Sequence, residues 1–157
     1  MDEVIEKIRV LLAGVPAGEY KGIHYGANHL PAQSALPCIE VVPVRTEVSN
    51  MGTRSNKNEF VVRVAIKDTL KNFVTADTDK VVKAGTKKLV QRMEARDAKG
   101  KPLATTILGI LSDRKLASGV HINQLGVIEY NDDEQFDGSW LLSAEIEIKA
   151  ILITPHL

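Results

Sequence analysis

Ala144-Glu145-Ile146-Glu147-Ile148-Lys149-Ala150-Ile151-Leu152 decides the class of fold. Ala144, Ile146, Ile148, Ala150 and Leu152 make one apolar row, with Glu145, Glu147 and Lys149 standing between them. Successive side chains on a strand point to opposite faces, so this two-residue period describes an antiparallel strand with one face buried and one in water. The spacing predicts that strand from Trp140 to Thr154. Ahead of it, Val120 to Tyr130 is a second β-type run. Asn131-Asp132-Asp133-Glu134-Gln135-Phe136-Asp137-Gly138 joins the two as an acidic turn.

An earlier stretch repeats the design. Cys38 to Arg45 leads out and Glu59 to Lys67 returns, with Phe60, Val62, Val64 and Ile66 as the apolar row of the return strand. Pro43 cannot donate to a ladder, which predicts an edge or a bulge at that point. Residues 46–58 make a polar connection far longer than the two to five residues that tight hairpins use.

Helices fill the intervals. Val4, Ile5, Ile8, Leu11 and Leu12 share one face of a helix predicted from Asp2 to Ala13, where Gly14 and Pro16 stop it. A second helix is predicted from Asp77 to Arg96, with Thr75 or Asp77 as its cap and Val82, Leu89 and Met93 as its buried stripe. Lys80, Lys83, Lys87, Lys88, Arg92 and Arg96 cover the rest of it as a solvated face. A short third helix is predicted from Thr105 to Leu116. Residues 14–36, holding Gly18, Gly22, Gly26 and Pro31, are read as irregular. The expected fold is therefore α+β: a mainly antiparallel four-stranded sheet of two hairpins with helices packed on one face. One domain spans residues 1–157, with assembly loops expected at 14–36 and 46–58.

Composition narrows the classes of function. Twenty basic and twenty acidic side chains cancel, so no whole-molecule field draws the chain to nucleic acid or an anionic membrane. The lone Cys38 excludes an internal disulfide and suits a reducing compartment. The acidic start, Met1-Asp2-Glu3, is unlike a secretory signal, and no apolar run approaches the roughly 20 residues of a membrane span.

Chemical motifs are weak throughout. His24, His29, His121 and His156 lack zinc-ligand spacing, and Cys38 has no Cys-x-x-Cys partner. Ala84-Gly85-Thr86-Lys87 lacks the leading glycine of a phosphate loop, reverses its Lys and Thr, and falls inside a helix. Asp133-x-Gln135-x-Asp137-Gly138 opens like a calcium loop, but Ala144 stands where the closing glutamate belongs. No catalytic residue, metal ligand or cofactor is expected.

In layout the chain resembles the tail terminator and tail-completion proteins of long-tailed bacteriophages. The resemblance runs from the Val4-Ile5-Glu6-Lys7-Ile8 helix through Leu36-Pro37-Cys38-Ile39-Glu40-Val41-Val42-Pro43 to the Phe60–Ile66 strand. It closes with Leu89-Val90-Gln91-Arg92-Met93 and Ser143-Ala144-Glu145-Ile146-Glu147-Ile148. It implies a virion protein, assembled in the host cytoplasm, that forms a ring, usually of six copies. The ring would cap the finished tail tube and receive the head connector or stopper protein. On that reading Arg54 and Lys57 are candidates for contacting a neighbouring ring. The acidic residues Asp132, Asp133, Glu134 and Asp137 would line a lumen through which DNA passes without sticking. No membrane is involved. Competing expectations are a head-side connector or stopper, a small nucleic-acid-binding module using the basic helix, and a small-ligand enzyme built around His24, Tyr25 and His29.

Overall fold

The computed structural model describes residues 1–26, 33–50, 55–70, 78–112, 120–134 and 140–155. Helix α1 (Asp2–Leu12) forms where Val4, Ile5, Ile8 and Leu12 recur on one face, and all four are fully buried. Asp2 and Glu3 occupy its first turn and Arg9 its last, the arrangement the helix dipole favours. Val10, on the opposite side, is exposed. Strand β1 (Ile23–Tyr25) follows, then a short 3-10 turn (Gln33–Ala35) and the long strands β2 (Cys38–Asn50) and β3 (Ser55–Leu70). Helices α2 (Thr78–Glu94) and α3 (Ile107–Ser112) precede the final pair, β4 (Val120–Glu134) and β5 (Trp140–Pro155).

The sheet has five strands in the order β1-β2-β3-β5-β4. Its register carries the alternation of each strand onto a common face. Ile39 lies opposite Ile66, which lies opposite Ala144, and Val41, Val64 and Ile146 form the next row. Val62 with Ile148, and Phe60 with Ala150, complete the apolar face. These residues make one core with Val4, Ile5, Ile8 and Leu12 of α1, Leu89 and Met93 of α2, and Ile107, Leu108, Ile110 and Leu111 of α3. Each such Val, Leu, Ile, Phe or Met side chain, moved out of water, contributes about 1.5–3 kcal/mol. The helices therefore cover one face of the sheet and leave the other open.

The expected four strands become five because β1 pairs parallel with β2, Ile23 to Ile39 and Tyr25 to Val41. The Gly22 carbonyl accepts from Ile39 N–H and Gly26 N–H donates to the Val41 carbonyl, which satisfies that edge of β2. Gly26 sits at φ +85°, a conformation side-chain-bearing residues rarely adopt. Three residues between glycines are too few to show a period, so this strand was hidden within the segment read as irregular, residues 14–36. Residues 46–58 are corrected too: β2 continues to Asn50 and β3 begins at Ser55. Their polar sequence has no apolar alternation, but β3 pairs with β5 from Ser55 opposite Pro155 onward, so the ladder carries the strands on. Pro43 behaves as expected, with a bulge between it and Arg45. The second helix begins within a residue of the expected place, and the third begins at Ile107, two residues after the predicted Thr105, while the predicted stretch beyond Ser112 lies outside the described residues. Its start is set by Thr106, whose Oγ1 accepts from Gly109 N–H at 3.0 Å.

One long-range junction fastens the chain between α1 and β1. Arg92, on α2, donates from Nε to Glu19 at 2.9 Å and from Nη1 to Asp68 at 3.0 Å. Its guanidinium also lies 5.5 Å from the centre of the Tyr20 ring. Expected on a solvated helix face, Arg92 is instead largely buried, its side chain 10% exposed.

Candidate functional site

The open face of the sheet is built from the residues between those of the core rows. Glu40 comes from β2, Arg63, Ala65 and Lys67 from β3, Ser143, Glu145 and Glu147 from β5, and Glu129 and Asn131 from β4. They line two shallow depressions of about 340 and 370 Å³. Glu40 and Lys67 form a buried ion pair at 2.9 Å, side chains 2% and 12% exposed. Arg63 spans two carboxylates, 4.0 Å from each of Glu145 and Glu147. Beside Lys67, Cys38 is buried, and burial followed by the Glu40 charge pushes its thiol up to about 11. It is a packed thiol, not a nucleophile.

Gly126 brings the edge strand β4 against β5. A Cβ there would stand 2.7 Å from the Glu147 carbonyl oxygen, so the close approach of the two backbones admits only glycine. The register shifts across Leu125 and Ile128, and the bulge leaves Val127 on the surface, 76% exposed.

Beyond the row of Thr46, Phe60 and Ala150 the sheet outruns its core. Glu47, Val48 and Ser49 of β2 are exposed, and Lys57, Asn58 and Glu59 of β3 and Ile151 and Leu152 of β5 are only partly covered. This extension of paired strands carries Lys57, whose ammonium is 3.5 Å from Glu59. Lys149 approaches the same carboxylate at 3.3 Å and holds it below the usual carboxylate range.

The sequence-predicted residues are thus divided. Arg54, Asp137 and His29 lie outside the described residues, as does the side chain of Glu134. Asp132, Asp133 and Glu134 are not a turn: they are the paired end of β4, opposite Leu142, Leu141 and Trp140. The ladder prevails over the polar composition because β5 supplies a partner for each. Asp132 and Asp133, being consecutive on a strand, project to opposite faces. Lys57 is at the other end of the sheet. From the Lys57 row to the Asp68–Leu142–Asp132 row is about 36 Å along β3 at roughly 3.3 Å per residue. The two candidate sets therefore belong to separate ends of the molecule.

His24 and Tyr25 do not converge. They are adjacent on β1 and so face opposite sides, and both are exposed. The Tyr25 hydroxyl donates to Asp2 at 2.7 Å, a bond that raises its pKa. Among the described residues no group of three His, Cys, Asp or Glu side chains is placed to hold a metal ion. No helix among them is long and apolar enough to cross a membrane.

Sequence reasoning missed the Arg92 junction and the bond from the Tyr130 hydroxyl to Glu94 at 2.7 Å. Burial and that bond raise the pKa of the Tyr130 phenol. Neither junction has a local signal, since the partners are far apart in the chain. No protein-family model matches this chain, and no curated protein matches it.

Proposed function

We propose that this chain is a structural protein of a long-tailed bacteriophage virion, forming a ring at the top of the tail tube. The ring ends tail assembly and joins the tail to the head connector, and it is built in the host cytoplasm. The observation that carries the reading is the sheet that outruns its core. Strands β2, β3 and β5 continue past their last buried row, with Val48 64% exposed at the end. A paired extension that buries little within its own chain is a surface suited to a neighbouring subunit or ring. The layout of helices and strands named above supports the same reading. Partners on this proposal are further copies of the chain, the tail tube protein and the connector or stopper. DNA passes through the lumen without specific contact.

Tails assembled without this chain should have abnormal lengths or fail to join heads, and adding purified protein should restore joining. Val48→Asp should leave the monomer folded and reduce joining at least tenfold. Tails of normal length that join heads in its absence would defeat the assignment. Co-purification with filled heads rather than free tails would move it to the head side of the neck.

A further inference from the structure

The chain is neutral as a whole, yet exposed carboxylates gather in the depressions of the open face and exposed lysines on α2. On the open face, once Glu40 and Lys67 cancel, the two depressions are lined by Glu129, Glu145 and Glu147 against Arg63. Two of these carboxylates, Glu129 and Glu147, are exposed, and Val127 offers an apolar rest beside them. On the other side of the molecule, α2 presents Lys83, Lys87 and Lys88, all exposed and none in an ion pair with a described residue. Leu89 and Met93 of the same helix are buried against the sheet, which holds the lysines outward. Lys83 and Lys87 are one turn apart, so their charges act together.

We propose that the acidic open face of one copy receives the α2 lysines of a second copy, head to tail. This rests on the ring reading for the association of like chains and names the contact between them. The two patches differ and lie on opposite layers, so the contact cannot pair with itself. Such a heterologous interface closes into a ring or runs on as a filament. Net neutrality removes long-range repulsion between copies, while the separated charges set their orientation. The lysine stems pack on Val127 as their ammoniums reach Glu129 and Glu147.

Sedimentation of the full chain at about 50 and 500 mM salt tests this, because the screening length for exposed charges falls from about 14 Å to about 4 Å across that range. Association should weaken at least tenfold at the higher salt. K83E/K87E/K88E and E129K/E147K, all at exposed positions, should each be monomeric and melt within about 4 °C of wild type, the second losing the exposed Arg63–Glu147 pair. An equimolar mixture of the two should associate again, and so should one chain carrying all five changes.

Wild-type association that is indifferent to salt and to both reversals would overturn the interface and leave the ring reading standing. A wild-type chain that stays monomeric at low salt and about 100 µM would overturn it as well. So would helix reversal that abolishes binding of a labelled DNA duplex while leaving self-association intact. Normal head joining without the protein, alongside association that follows the charge swap, would instead overturn the phage role alone.

Discussion

Replacing Arg92 by Met should lower the stability of the fold by about 3 kcal/mol. The side chain is 10% exposed and bonds Glu19 at 2.9 Å and Asp68 at 3.0 Å. Removing one partner of a buried ion pair costs about 3–5 kcal/mol. Glu19 and Asp68 keep 28% and 20% exposure and regain water, which reduces that loss to about 2 kcal/mol. The guanidinium over Tyr20 adds about 0.5–1 kcal/mol. Methionine keeps the apolar stem, so no cavity term is added. Urea unfolding followed by circular dichroism, with a slope of about 2.5 kcal/mol per molar, should show the midpoint falling by about 1.2 M. Arg92→Lys, which keeps the charge but not the fork, should lose about half as much. In a double-mutant cycle with Asp68→Asn the two changes should couple by about 1–2 kcal/mol. A midpoint within about 0.3 M of wild type, or strict additivity in the cycle, would show that α2 does not fasten the α1–β1 segment.

Two further outcomes follow from close packing and burial. Gly109→Ala places a Cβ 1.9 Å from the Leu103 carbonyl oxygen, backbone that cannot swing aside, and should cost about 2–3 kcal/mol in denaturant unfolding. A loss under about 0.5 kcal/mol would show that α3 moves freely. Cys38 should resist a thiol reagent at pH 8 in the folded protein and react at once in denaturant. Its folded pKa, about 11, stands above the ordinary 9.0, so its contribution to stability is full below about pH 9 and falls away as pH rises through 11. Rapid native-state labelling at pH 8 would contradict the burial.

Face assignment was legible because it is local. The alternation Ala144, Ile146, Ile148, Ala150 names the buried side of β5 without knowledge of its neighbours, and Val4, Ile5, Ile8 and Leu12 do the same for α1. Of the candidate residues, Lys57 and the Asp132–Glu134 run were found as charged positions, but their setting was misread. Composition suggested loops where hydrogen-bonded ladders hold strands. A polar segment next to an already paired strand loses little by pairing, since its side chains stay in water while its backbone gains partners. Among the described residues, α2 shows the limit most plainly: its basic residues read alike, yet Arg92 is buried in a junction while Lys83, Lys87 and Lys88 are exposed.

The sequence alone determined the period of each main element, the side it buries and the neutrality of the whole. Only the tertiary structure decided that a fifth strand joins in parallel, that β2 and β3 outrun the core, and that the Glu129–Glu147 depression and the α2 lysines lie on opposite sides of the sheet. Periodicity is a property of neighbours along the chain. Pairing, strand length and charge separation depend on segments brought together from far apart, as Arg92 and Glu19 are across 73 residues.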